Sequence, residues 1–146
     1  VNVIAPIMTK PGAECWLQTI YYPFLLTSLH GRGIALRPES PSCQCEGGGN
    51  PAVDCAAVLS GGEKELTVFL VNKDLQNPSA CRITLEGLHP AEAGEHLVLQ
   101  APLDSVNTAT SAPVLPRRVS DTEIFNNCVA CTLEAASWNM VRLPLG

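Results

Sequence analysis

Aromatic side chains are scarce in this chain: seven among 146 residues, at Trp16, Tyr21, Tyr22, Phe24, Phe69, Phe125 and Trp138. A β-rich module that holds sugars on its surface needs exposed rings to stack on them. Phe69 and Trp138 fall in strand-like stretches, where core packing is the ordinary role of a ring. The scarcity therefore speaks against an independent carbohydrate-binding module. Long apolar runs are missing too. None approaches the ~20 residues that span a bilayer, and no basic stretch followed by a short apolar core marks a secretion signal. Positive charge is sparse, with 9 Lys and Arg against 14 Asp and Glu and a net charge of −5. Arg117-Arg118 is the one adjacent basic pair. No clustered basic face can be drawn, so neither nucleic acid nor an anionic membrane is an expected partner.

Catalytic motifs are equally thin. The histidines are His30, His89 and His96. None lies in a nucleophile motif, and there is no Gly-x-Ser-x-Gly. Gly47-Gly48-Gly49 lacks the Lys-Ser/Thr of a phosphate loop and reads as a flexible linker. Glycoside hydrolysis needs two carboxyl groups across one sugar. Glu39, Glu46, Glu63 and Glu92 lie in polar loops, while Glu65, Glu86 and Glu134 lie in strand-like stretches, Glu86 on a polar face. No acid–nucleophile pair emerges. We assign no catalytic, substrate-binding or metal-binding residue, and no cofactor.

Cysteine, by contrast, is abundant: Cys15, Cys43, Cys45, Cys55, Cys81, Cys128 and Cys131. Cys43-x-Cys45 and Cys128-x-x-Cys131 could together offer four thiolates to zinc. Disulfides are a second reading, and an odd count leaves at least one thiol over. Only one CxxC is present, however, and it sits in a strand-like stretch. Reduced, mostly buried cysteine acting as a small apolar residue is the ordinary reading.

The organisation falls into two parts. Val1 to Met8 is apolar apart from Asn2 and Pro6, as in a strand buried on both faces. The chain opens on this run without an initiator Met, which leads us to expect the tail of a longer protein. Lys10 to Ala13 reads as a loop. From about Cys15 to Leu29 apolar residues fall at near-helical spacing, with Pro23 as a kink or first turn and Gly31 and Gly33 as the stop. Beyond Gly33, Pro38, Pro41 and the glycines at 47–49 make a connector. Short strands then follow: Asp54 to Leu59, Glu65 to Asn72, Cys81 to Leu88, His96 to Gln100, Cys128 to Glu134 and Trp138 to Leu143. Asp104 to Val119 is loop-like, but its Val106, Val114 and Leu115 suit a segment packed over the sheets. Such a series of short strands predicts a β-sandwich.

Several of these stretches carry a resemblance. VNVIAPIMTKPG (1–12), QTIYYPFLLTSLHGRGIALRP (18–38), ELTVFLVNKDL (65–75), SVNT (105–108) and ASWNMVRL (136–143) are similar, in order, to the C-terminal region of α-L-arabinofuranosidases of glycoside hydrolase family 51. Residues about 40–52 and 109–127 match least. Departures include Ala5, near where some members place a Gln that touches the sugar, and Cys15-Trp16-Leu17, where a Trp-Arg pair is more usual.

The resemblance implies a mainly β fold: an antiparallel, jelly-roll-like sandwich preceded by one strand–helix unit left from a (β/α)8 barrel. Residues 1–33 would be the last unit of the catalytic barrel and 34–146 the C-terminal sandwich. The whole enzyme would be a retaining, exo-acting glycosidase that removes terminal arabinofuranosyl units from arabinan- or arabinoxylan-type saccharides, with no cofactor. Both its catalytic glutamates would lie upstream, leaving this piece inactive alone. The implied partners are an arabinose-containing saccharide, the rest of the barrel and further copies of the enzyme, and the implied compartment is the cytoplasm. The competing reading is a non-catalytic, stand-alone sandwich serving as an accessory or interaction module.

Overall fold

A computed structural model of the chain describes residues 4–12, 14–39, 52–92 and 94–146. The elements, in order, are β1 (Ile7–Thr9), β2 (Cys15–Leu17), α1 (Tyr21–His30), β3 (Gly33–Leu36), β4 (Val53–Ser60), β5 (Glu65–Asn72), β6 (Ser79–Thr84), β7 (Glu95–Leu99), β8 (Arg117–Val119), β9 (Glu123–Phe125), β10 (Cys128–Leu133) and β11 (Ser137–Pro144). They form a six-stranded sheet ordered β3-β4-β5-β11-β7-β8, a three-stranded sheet ordered β6-β10-β9, and the small β1-β2 hairpin. The named strands all pair antiparallel. The mainly β, antiparallel sandwich expected from the sequence is present.

Alternation decides which residues meet between the two larger sheets. Leu66, Val68 and Leu70 of β5, Ala57 of β4, and Val141 and Leu143 of β11 point inward from the six-stranded sheet. They meet Val129, Cys131 and Leu133 of β10 and Leu85, just past β6. Arg82 and Thr84 stay exposed while Cys81 and Ile83 turn toward the core, the half-buried pattern of a two-faced strand. β5 and β11 differ because they are buried on both faces. Thr67, Phe69 and Met140 on the opposite face are also buried, and for this reason the stretches read as nearly continuous apolar runs. Phe69 and Trp138 lie side by side there, ring centroids 6.0 Å apart.

The N-terminal part departs from the sequence reading. Among the described residues of the apolar start the strand is the short β1, and Cys15–Leu17 is a strand rather than helix, pairing Ile7 with Leu17 and Thr9 with Cys15. α1 starts at Tyr21, so Pro23 sits in its first turn, where a missing N–H breaks no helical bond. Gly31 stops the helix by donating its N–H to the Thr27 carbonyl (2.8 Å). Gly33 has φ of +147° and lies against the Leu59 carbonyl, where a Cβ would come within 2.0 Å. Only glycine lets β3 join β4 there.

The cysteine readings resolve in part. Cys43 and Cys45 lie outside the described residues. Cys128 and Cys131 sit three apart on β10, so the pleat sends them to opposite faces, and they cannot converge as a zinc knuckle does. Among the described residues no helix is long and apolar enough to cross a membrane.

Candidate functional site

The feature most like a catalytic constellation is centred on His96. The ring is wholly buried on β7, with Nδ1 2.7 Å from Asp121 Oδ1 and Nε2 3.1 Å from Asn139 Oδ1. Burial alone would raise the Asp121 carboxyl, but the Thr132 backbone N–H and the His96 ring hold it below the usual carboxylate range. An Asp-oriented histidine is two-thirds of a hydrolytic triad. Among the described residues no third member meets the ring: its nitrogens face Asp121 and Asn139, and the nearby Ser137 is engaged elsewhere. Its hydroxyl donates to the Glu134 carbonyl (2.6 Å) and accepts from Asn139 Nδ2 (2.9 Å). With the Asn139 amide so oriented, its oxygen faces His96. Both ring nitrogens therefore meet acceptor oxygens, in a place no substrate can enter. The cluster fastens β7 to β11 and to the segment before β9.

The carboxylates of the outer face are likewise committed. Arg142 on β11 donates Nη2 and Nε to Glu65 (2.6 and 3.2 Å) and Nη1 to Glu95 (2.9 Å). Glu65 first and then Glu95 raise the guanidinium further above its ordinary value. Two carboxylates clamped to one arginine are neither a free acid nor a nucleophile. Glu134, just past β10, pairs with Arg117.

The stretches that carried the family resemblance are structural as well. Asn72 is buried at the end of β5, where Nδ2 meets the carbonyls of Asn77, Leu133 and Glu134 and Oδ1 accepts from the Asp74 N–H. Asn107, within 105–108, is buried and exchanges hydrogen bonds with the Val114 backbone (2.9 and 3.0 Å). Its own carbonyl accepts from Gln18 Nε2 (3.1 Å), joining the loop between β7 and β8 to the N-terminal unit. Val114 is buried as the sequence suggested, whereas Val106 and Leu115 stay exposed. At the other end of that unit, burial and the nearby Arg142 charge lower the pKa of His30. The Gln18–Asn107 bond thus ties the unit to the loop between β7 and β8.

What it does not do is bury its own apolar residues. No residue of α1 is buried, and Phe24 is 67% and Leu29 58% exposed. Ile4, Ile7 and Ile34 are exposed beside it in sequence. A helix that leaves its large apolar side chains in water is one whose cover lies elsewhere. This face, rather than any cluster of titratable groups, is the candidate functional surface.

Comparison with known proteins agrees with the architecture. Over residues 1–137 the sequence matches the family described as alpha-L-arabinofuranosidase C-terminal domain, and the chain belongs to that family. An intracellular exo-alpha-(1->5)-L-arabinofuranosidase of Bacillus subtilis is 37% identical over 147 residues, spanning 98% of this chain and 29% of the relative. A relative of the same description from Streptomyces lividans is 36% identical, with 97% and 22% covered. Among solved structures, a family 51 α-L-arabinofuranosidase from Bifidobacterium longum superposes with a TM-score of 0.83 at 33% identity, covering 97% of this chain and 29% of that one. The chain therefore spans less than a third of these relatives' length.

Proposed function

We propose that this chain is the C-terminal portion of a retaining, exo-acting α-L-arabinofuranosidase. Residues 1–33 are the last strand–helix unit of its catalytic barrel, and residues 34–146 the sandwich that braces it. The observation that carries the reading is the unburied apolar face of α1 in a chain that spans only 29% of a relative named for this activity. The neighbouring barrel units would cover Phe24, Leu25 and Leu29. In a barrel of this kind the active site is built from the C-terminal ends of the strands. The acid/base and nucleophile glutamates then come from strands that precede this segment, which accords with the full commitment of Glu65, Glu95 and Glu134 to arginines. The sandwich acts by holding the last barrel unit in register through the Gln18–Asn107 hydrogen bond.

The proposed substrate is a terminal arabinofuranosyl unit on an arabinan- or arabinoxylan-type saccharide. The proposed assembly is a homo-oligomer, and the proposed compartment the cytoplasm, in keeping with relatives named as intracellular. A free-standing accessory sandwich would have to leave the face of α1 in water, which disfavours that alternative.

The test is turnover of an aryl α-L-arabinofuranoside. The native protein captured from source cells with an antibody to residues 34–146 should hydrolyse it, and the 146-residue chain alone should not. Hydrolysis by the purified chain alone would overturn the proposal, as would an inactive native protein.

A further inference from the structure

The three-stranded sheet sets two thiols against each other. Cys81 on β6 and Cys131 on β10 are direct register partners, and both face the sandwich interior with Ile83, Val129 and Leu133. The Leu85 N–H donates to the Asn127 carbonyl (2.9 Å) one step beyond the strands, in the same register. Counting back by twos makes Cys81–Cys131 a hydrogen-bonded pair, in which the Cα atoms stand about 5.5 Å apart. That lies within the roughly 4.4–6.8 Å Cα range of a disulfide. The Cβ atoms, about 5.5 Å apart in such a pair, must close to about 3.8 Å, so the bond forms with a small shift of the two strands. The two thiols lie near enough to shift each other's ionisation. Their surroundings differ. Cys131 is 6% exposed, while Cys81 is only half-buried and borders the cleft between β6 and the inner face of β4 and β5, beside Val53, Leu70 and Leu88.

We propose that Cys81 and Cys131 are a reversible oxidation site, converted to a cross-strand disulfide by a small peroxide that reaches Cys81 through this cleft. The hydrogen bond from Cys131 lowers the Cys81 thiol against the opposing effect of burial, whereas that bond and then burial push Cys131 up. The attacking and resolving roles follow from access: peroxide in the cleft reaches the half-buried Cys81, whereas Cys131 is shielded behind it. The Cys81 thiolate attacks one peroxide oxygen. The O–O bond breaks, the departing hydroxide leaves as water, and Cys81 becomes a sulfenic acid. The Cys131 sulfur then attacks the Cys81 sulfur, giving its proton to the hydroxyl that leaves as a second water. Two thiols and one hydrogen peroxide thus yield one disulfide and two waters, the sulfurs losing the two electrons that reduce the peroxide.

The experiment treats the full chain with hydrogen peroxide, caps remaining thiols with an alkylating agent, and maps tryptic peptides by mass spectrometry. The expected product joins the peptide 74–82, ending at Arg82, to 119–142, ending at Arg142, and is lighter than the reduced pair by two hydrogens. Fragmentation of the native product should place the link at Cys131 and not at Cys128, and dithiothreitol should reverse it. Cys128→Ser should keep the link, while Cys131→Ser should lose it by at least ~10-fold. The proposal is overturned if peroxide oxidises exposed Cys15 while leaving Cys81 and Cys131 free. A link that runs from Cys81 to Cys128 or Cys55 overturns it too.

Discussion

Removing the Asn139 side chain tests the hydrogen-bond logic of the core more sharply than any apolar truncation. Asn139 is wholly buried, donates to Ser137 Oγ (2.9 Å) and faces His96 Nε2 (3.1 Å). In Asn139→Ala the His96 Nε2 loses its hydrogen-bond partner inside the sandwich. A buried polar group left unsatisfied costs ~1–3 kcal/mol, and the void left by the amide adds about 1 kcal/mol. We expect a loss of about 3 kcal/mol, read as a lower urea midpoint at unchanged slope. A double-mutant cycle with His96→Phe should return a coupling energy of ~1–2 kcal/mol, because the two residues share one bond. A loss under ~1 kcal/mol, or no coupling with His96, would refute the orientation assigned to the Asn139 amide.

The same cluster predicts a pH dependence. The folded pKa of Asp121 is depressed, so its contribution to stability is present above about pH 4, the unfolded value, and is lost as pH falls through the lower folded value. The difference in urea midpoint between the native chain and Asp121→Asn should be largest near neutrality and should shrink below about pH 4; a constant difference would contradict the pairing with His96. On α1, Phe24→Ser with Leu29→Ser should leave the sandwich's unfolding free energy within ~0.5 kcal/mol, since both side chains are already in water here. The same pair of substitutions introduced into the native enzyme should sharply lower the yield of soluble, active protein, measured by gel filtration and aryl-arabinofuranoside turnover. Equal yields would mean that nothing covers that face.

The long sandwich strands were legible because burial wrote itself into the sequence. Glu65 to Asn72 is read with its bounds intact, and the alternation from Arg82 to Glu86 gives the correct inward face. The short elements were not. β1, β2, β8 and β9 are three residues each, too few to express a period of two. Cys15–Leu17 was absorbed into a helical pattern that properly begins at Tyr21. One usable signal was passed over: Asn126-Asn127 takes positive φ at both positions, as the two-residue hairpin between β9 and β10 requires. The Cys81–Cys131 pair is a product of strand register, and His96 meets Asp121 across the segment before β9; no local pattern encodes either. Nor could a sequence pattern show that Glu65 and Glu134 pair with Arg142 and Arg117, which come from distant parts of the chain.

The central claim is that this segment completes a larger catalytic domain. The most direct measurement is the size of the native product, by immunoblot of source cells with an antibody to residues 34–146. A complete barrel adds ~250 residues, so the account predicts a band several times heavier than the 15.5 kDa of this chain. A single band at 15.5 kDa would contradict it.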